Sequence, residues 1–150
     1  MALTIIKSVM LLVLLHQAIS LCEGSPWFNE TKERVQIMSY LNPPSNLTVH
    51  CKSKQDDLGE HVINPLPDSY AFKFTPPFFG HALFFCTFQW PKDQNLHWFD
   101  IYDERRDYKR CKHHCCWFVQ NSGPCMGYND GTNCIYKNDS CSPWKQVNPH

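Results

Sequence analysis

Residues 113–116 read His-His-Cys-Cys, and histidine and cysteine are the residue types that bind zinc. The spacing argues against a zinc site. Neighbouring residues of a strand point to opposite faces, and no second pair of ligands follows at the short spacing that zinc sites use. Neighbouring cysteines in an oxidising compartment are more simply disulfide partners, which predicts a bond between Cys115 and Cys116. We therefore predict no metal site and no cofactor.

A charged run from Lys52 to His61 is the second place where residue types suggest chemistry. Calcium prefers oxygen ligands, and the run offers a set of acidic groups with one histidine: Asp56, Asp57, Glu60 and His61. It lacks the regular alternate-residue spacing of a dedicated calcium loop. We interpret the run as a solvated hairpin loop, and we take these four residues together with Lys54 as a candidate recognition loop.

The strongest local positive charge lies between Arg105 and His114. Five cations stand there: Arg105, Arg106, Lys109, Arg110 and Lys112. Such a run is typical of an exposed hairpin face. The chain has zero formal net charge, so this run can still dominate the local field and steer an acidic partner. We take the five cations as a candidate partner-binding patch. Zero net charge also predicts no nucleic-acid partner.

No motif in the sequence is typical of an enzyme. The glycine-flanked serine of serine hydrolases is missing. A ribonuclease needs two histidines as acid and base. Histidines stand at seven positions beyond the first twenty residues, and none lies in a block typical of nucleases: His50, His61, His81, His97, His113, His114 and His150. We predict a protein that is not an enzyme, with a secreted ribonuclease as an alternative.

Residues 1–20 have the pattern of a secretory signal peptide. Lys7 supplies positive charge, an apolar stretch runs from Val9 to Leu15, and small residues end the segment at Ser20. The apolar stretch is shorter than the roughly 20 residues of a membrane helix, and we predict no transmembrane segment. The protein is therefore expected outside the cell. Three sequons predict N-glycosylation there: Asn29, Asn46 and Asn138.

Nine cysteines in 150 residues fit that compartment. We expect eight of them in disulfides: Cys51, Cys86, Cys111, Cys115, Cys116, Cys125, Cys134 and Cys141. Cys22 is left over. A cut after Gly24 instead of Ser20 would remove it with the signal peptide.

Alternation of apolar and polar side chains predicts the architecture. Six short runs alternate with the period of a half-buried strand, around residues 35–37, 47–51, 70–74, 99–101, 117–119 and 133–136. The segment from Ala82 to Trp90 is apolar on both faces, which predicts a central strand covered on both sides. No long stretch has helical spacing. The pattern indicates one all-β domain, an antiparallel β-sandwich or small barrel, with its aromatic core formed by Phe72, Phe74, Phe84, Phe88, Trp90, Phe99 and Trp117.

The stretch from Leu47 to His61, LTVHCKSKQDDLGEH, resembles a signature of the plant self-incompatibility protein family, the S-protein homologues. Further blocks resemble the family in the same order: residues 35–37, 70–74, 79–86, 89–90, 99–102, 110–111, 116–117, 123–125 and 141–144. The resemblance covers residues 33–145. We take these as the β-sandwich domain, with a short lead over residues 21–32 and a tail over residues 146–150.

The resemblance implies a small secreted β-sandwich that acts as a ligand for a cell-surface receptor. We expect the protein to be a monomer. Rejection of self pollen is one role that the resemblance implies, and another form of signalling between cells is a second. A cysteine-rich defence protein is an alternative function.

Six cysteines stand at positions like those of the family: Cys51, Cys86, Cys111, Cys116, Cys125 and Cys141. The resemblance suggests that these form the framework, and that Cys115 and Cys134 add one bridge. We expect Cys51 to pair with Cys141, tying an early strand to the last, and Cys86 to pair with Cys116. The second pairing competes with the bond between Cys115 and Cys116 considered above.

Overall fold

The computed structural model describes residues 1–20 and 31–146, and the chain divides into two units, residues 1–30 and residues 31–150. In the first unit, helix α1 spans Ala2–Ser20. Among the described residues, no helix combines the length and the hydropathy that a membrane span requires. Signal cleavage after Ser20 stays a prediction. Cys22 and Asn29 lie outside the described residues.

The second unit is built from two four-stranded sheets. The first sheet has the order β4-β1-β7-β8, the second has the order β3-β2-β5-β6, and β9 and β10 form a separate two-stranded ribbon. The elements are β1 (Glu33–Ser39), β2 (Leu47–Lys52), β3 (Asp57–Ile63), β4 (Tyr70–Phe74), β5 (Leu83–Trp90), β6 (Asp93–Asp103), α2 (Glu104–Cys111), β7 (His114–Gln120), β8 (Gly123–Met126), β9 (Tyr128–Asn129) and β10 (Cys134–Ile135).

One core lies between the two sheets. Alternate side chains of each sheet are buried and belong to the same cluster, among them Ile37 and Trp117 from the first sheet and Val49, Phe88 and Ile101 from the second. The all-β sandwich predicted from the sequence is confirmed. Of the seven predicted core aromatics, five are buried, and Phe72 and Phe74 are half-buried against the core.

Three local expectations were wrong. The charged run predicted as a loop contains β3, which pairs with β2 from Asp57 onward. The strand pair β1 and β7 is parallel, which the long connection between the two strands allows. Strand β5 is central in its sheet, yet Leu83, Thr87 and Gln89 on its outer face are not buried. Phe85 on that face is half-buried and stacks on Trp98 with ring centroids 6.2 Å apart.

The basic run forms the helix α2 and not a hairpin face. The Asp103 carboxylate accepts the N–H of Arg105 at 3.0 Å and caps the first turn. The helix ends at Cys111, and the C-cap residue Lys112 adopts the left-handed conformation. Its buried residues, Asp107 and Cys111, are four positions apart and so lie on one face. Only one of these two residues is apolar, and the helix has eight residues. The sequence therefore has no hydrophobic periodicity from which the helix could be predicted.

The described part of the chain contains four disulfides, Cys51–Cys86, Cys111–Cys115, Cys116–Cys134 and Cys125–Cys141. The predicted pairs Cys51–Cys141, Cys86–Cys116 and Cys115–Cys116 were therefore wrong, and so was a bridge from Cys115 to Cys134. Cys51 and Cys86 lie directly opposite each other on paired strands. Strand alternation also separates Cys115 from Cys116, since Cys115 belongs to the core cluster and Cys116 to the cluster under β10.

Candidate functional site

Three segments meet at one end of the sandwich, and we call this surface the loop end. They are the β2–β3 loop (residues 53–56), the β4–β5 loop (residues 75–82) and α2. A hollow of about 240 Å³ lies between the first two loops, with Asp56 and Pro77 in its lining. A second hollow of about 430 Å³ lies between the β4–β5 loop and the side chains of Arg105, Tyr108 and Lys109. His81 lines both hollows, so the β4–β5 loop joins the two candidate sites that the sequence suggested separately.

The β4–β5 loop carries two phenylalanines into solvent. Phe78 is 87 % exposed and Phe79 is 86 % exposed. Their rings contact each other edge to face, with centroids 4.8 Å apart. The loop is fixed where it returns to the sheet: the Ala82 N–H donates to the Glu104 carboxylate at 2.7 Å, and the Glu104 N–H donates to the Ala82 carbonyl at 3.0 Å. Two large apolar side chains are therefore presented on an anchored loop.

Four of the five predicted patch cations are exposed on or just after α2: Arg105, Lys109, Arg110 and Lys112. Arg106 differs, because its guanidinium binds the buried carboxylate of Asp107 at 2.6 and 2.7 Å. Arg106 is half-buried and engaged in this ion pair, and its part in a partner-binding surface stays a prediction. Arg105 and Lys109 are the cations that line the larger hollow.

The candidate recognition loop is divided by the fold. Lys54 and Asp56 are exposed in the β2–β3 loop, and Glu60 is exposed on β3. Asp57 instead binds Lys52 Nζ at 2.8 Å and His50 Nε2 at 2.5 Å. The Lys52 ammonium, with help from His50 and the Gly59 N–H, holds the pKa of the Asp57 carboxyl well below its usual range.

His61 also takes part in structure. Its ring stacks on Tyr70 with centroids 3.8 Å apart, and its Nε2 lies 2.9 Å from the Leu58 carbonyl. This contact joins β3, at the edge of one sheet, to β4, at the edge of the other. The four residues considered as calcium ligands are thus engaged in different places: Asp57 in an ion pair and His61 in a stack, with Asp56 and Glu60 facing solvent.

Of the residues considered for zinc, His114 lies beside sulfur atoms, with its Nε2 3.8 Å from Cys134 Sγ. His114, Cys116 and Cys134 place their ligand atoms within 4.8 Å of one another. Both sulfurs belong to one disulfide, and zinc binds thiolates. Burial, with the nearby charges of Arg34 and Lys73, lowers the pKa of the His114 imidazole. In this oxidised state the cluster serves as packing under the β9–β10 ribbon.

The other described histidines of the sandwich do not form an acid–base pair in one cleft. His97 lies between Trp90 and Trp144 and contacts Asp93 at 2.8 Å. His113 contacts the buried Glu33 at 2.6 Å. His50 and His61 project from opposite faces of their sheet, since His61 pairs with Val49 and not with His50.

Two predicted glycosylation sites lie among the described residues. Asn46 and Asn138 are both exposed, as a glycan requires. The Asn138 side-chain oxygen accepts a hydrogen bond from the Tyr136 hydroxyl at 2.9 Å. Glycan occupancy at these positions stays a prediction.

Sequence reasoning missed Phe78, Phe79 and Tyr108 as surface residues. The signal for the phenylalanines was present. They stand between Pro76-Pro77 and Gly80, in a stretch whose composition is that of a turn, and an apolar pair within a turn has no strand face to bury it. Tyr108 is 53 % exposed on α2, and it could not be placed before the helix was known.

Comparison with known proteins gives consistent matches. The family described as plant self-incompatibility protein S1 matches residues 34–144. S-protein homolog 5 of Arabidopsis thaliana is 47 % identical over 103 residues, which cover 69 % of this chain and 70 % of that protein. S-protein homolog 29 of the same plant is 35 % identical over 136 residues, which cover 91 % and 93 %.

A solved structure of SPH (self-incompatibility protein homologue) proteins, described as small, highly stable, secreted proteins from plants, has the same fold. The TM-score is 0.53 at 16 % identity, and the match covers 79 % of this chain and 98 % of the other.

Proposed function

This chain belongs to the plant self-incompatibility protein S1 family, and we propose that it is a secreted recognition protein that binds a receptor protein on the surface of a plant cell. Its four disulfides support an extracellular location, because such bonds persist in oxidising compartments. The apolar leader over residues 1–20 supports the same location. The proposal requires binding and no catalysis.

One observation carries the proposal: the larger hollow at the loop end, about 430 Å³, is lined by Arg105, Tyr108 and Lys109. Arginine and aromatic residues are enriched where proteins bind each other. The two cations stand four residues apart and so project from one face of α2. Because the net charge of the chain is zero, they can steer an acidic surface toward this end without attracting anions everywhere.

The experiment measures binding of fluorescently labelled protein to intact pollen tubes and, in parallel, to leaf and root protoplasts. We expect saturable binding that unlabelled protein displaces. Preference for pollen tubes would favour a role in rejection of self pollen, and preference for the other cells would favour another signalling role. Binding that does not saturate on any of these cells would contradict the proposal.

Charge reversal tests which surface binds. Arg105→Glu with Lys109→Glu should slow association and weaken its dependence on salt. The matched control is Lys92→Glu with Lys137→Glu, which changes the net charge equally at exposed lysines outside the loop end. If both pairs of substitutions slow association equally, the effect comes from net charge and the loop end is not the binding surface.

A further inference from the structure

Phe78 and Phe79 are large apolar side chains that the fold leaves in solvent. Both rings are nearly fully exposed, and each contacts the other. The loop is held at its base by two hydrogen bonds between Ala82 and Glu104, one to the Glu104 carboxylate and one from the Glu104 N–H, so the rings are presented from a fixed point. An exposed apolar pair on an anchored loop is typical of an interaction site.

The flanks of this pair differ in charge. On one side, the larger hollow brings Arg105 and Lys109 against Gly80 and His81, one and two residues beyond Phe79. On the other side, the smaller hollow brings Asp56 against Pro77 and His81. The first flank also contains the carboxylate of Glu104, which accepts the Ala82 N–H, so its two cations outnumber one carboxylate. The phenylalanines therefore stand between a flank with an excess of positive charge and a flank with the carboxylate of Asp56.

Resting on the proposed function, we propose that Phe78 and Phe79 are the anchor of the complex: they enter an apolar pocket of a receptor protein whose rim is acidic on one side and basic on the other. Large apolar side chains that fill a pocket supply most of the affinity in protein interfaces, while rim charges set orientation.

The same charges argue against an anionic bilayer as the partner. A bilayer presents one sign of charge, so it would attract Arg105 and Lys109 and repel Asp56. Protein segments that recognise anionic lipid carry clusters of about four to eight cations. Four cations are exposed on or just after α2, at the lower limit of that range, and two of them line this hollow beside the Phe78–Phe79 loop. A protein surface can match both flanks at once.

The experiment uses the full secreted protein in the cell-binding assay above, with the double substitution Phe78→Ser and Phe79→Ser. Its matched control is Val62→Ser with Leu96→Ser, which removes two other exposed apolar side chains, 57 % and 48 % exposed, on β3 and β6. We expect the phenylalanine variant to bind about tenfold more weakly or worse, with an unchanged unfolding midpoint, and the control to bind like the wild type.

Two further arms identify the class of partner. Protease treatment of the cells should abolish binding of the wild type, and vesicles of phosphatidylcholine with phosphatidylserine should not bind it. Binding that survives protease, or vesicle binding that the phenylalanine substitutions remove, would overturn the receptor in favour of a membrane.

Saturable wild-type binding that the phenylalanine substitutions leave unchanged would overturn the anchor while the proposed function stands. Absence of saturable wild-type binding would overturn both.

Discussion

Arg106 and Asp107, neighbours in the chain, form a bidentate ion pair at the base of α2, with Nε 2.7 Å from Oδ1 and Nη2 2.6 Å from Oδ2. The carboxylate is fully buried. The guanidinium also donates to the Asp100 carbonyl at 2.7 Å, and its carbon lies 5.1 and 5.2 Å from the ring centroids of Phe99 and Trp117. Arg106, which belongs to the basic run, therefore packs against core residues and pairs with a buried charge.

Removing this arginine should destabilise the fold strongly. Arg106→Ala leaves the buried Asp107 charge without its partner, and we expect the free energy of unfolding to fall by about 3–5 kcal/mol. Arg105→Ala, one position away on the exposed side, should change it by no more than about 0.5 kcal/mol. Urea denaturation with the disulfides intact measures both. Equal losses for the two variants would show that the ion pair is not a special support.

Acidification should weaken the fold partly through Asp57. Hydrogen bonds from Lys52, His50 and the Gly59 N–H lower its folded-state pKa below the ordinary value of 3.8. A lowered folded-state pKa stabilises the protein fully above the unfolded pKa, and this stabilisation is lost as pH falls through the folded value. The urea midpoint of the wild type should therefore drop below about pH 4.

In Asp57→Asn this contribution is absent at every pH. The variant should be less stable than the wild type at pH 7, and the difference should shrink as the pH falls below about 4. Asp56→Asn is the matched control, since Asp56 is the exposed carboxylate next to Asp57 in the chain. A constant difference between Asp57→Asn and the wild type from pH 7 down to strong acid would contradict the assignment.

Most of the sandwich could be predicted from the sequence because its strands bury one face. In β1 and β2, buried apolar residues such as Val35 and Ile37 or Val49 and Cys51 alternate with polar neighbours. This period of two is typical of a strand that buries one face. Strand β3 gave no such signal, since it lies at a sheet edge and only Ile63 is buried. Helix α2 is held by an ion pair and a cap, and the Arg106 guanidinium also contacts the Asp100 carbonyl and the Phe99 ring, which the folded chain brings near.

The location of the candidate site could be predicted only in pieces. The sequence pointed to Asp56 and to Arg105 as charged surface residues, and both are exposed at the loop end. His81 lies next to both residues in the folded protein, and this could not be predicted from the sequence because β2 and β4 belong to different sheets. The predicted disulfide pairs were wrong for a similar reason. Strand register decides which cysteines face each other, and the register cannot be deduced from the positions of the cysteines in the sequence.

The disulfides should differ in their contribution to stability. Cys51–Cys86 closes a separation of 35 residues, and Cys111–Cys115 closes one of 4. In the chain-entropy model these loops correspond to about 4 and about 2 kcal/mol. We expect the double alanine variant of the first pair to lose more stability in urea than that of the second. Peptide mapping without reduction checks the pairings, and a peptide linking Cys51 to Cys141 would contradict them.

Alanine substitutions at two glycines of the C-terminal segment, Gly123 and Gly131, distinguish the cost of backbone strain from the cost of a steric clash. Gly123 has φ +140° and Gly131 has φ +103°, a region that alanine adopts at a cost of about 1–3 kcal/mol. A Cβ on Gly123 would also lie 2.0 Å from the Ser142 carbonyl oxygen, whereas a Cβ on Gly131 meets nothing within 4 Å. Gly131→Ala should therefore show the backbone cost alone.

Gly123→Ala should lose more stability than Gly131→Ala, because the added methyl must displace the strand of chain at Ser142. The Ser142 N–H donates to the Pro124 carbonyl at 2.9 Å, and this bond should break first. Limited proteolysis should then cut near Ser142 in Gly123→Ala and leave Gly131→Ala as resistant as the wild type. If the two variants lose equal stability and resist protease equally, the close packing of Ser142 on Gly123 does not hold the segment in place.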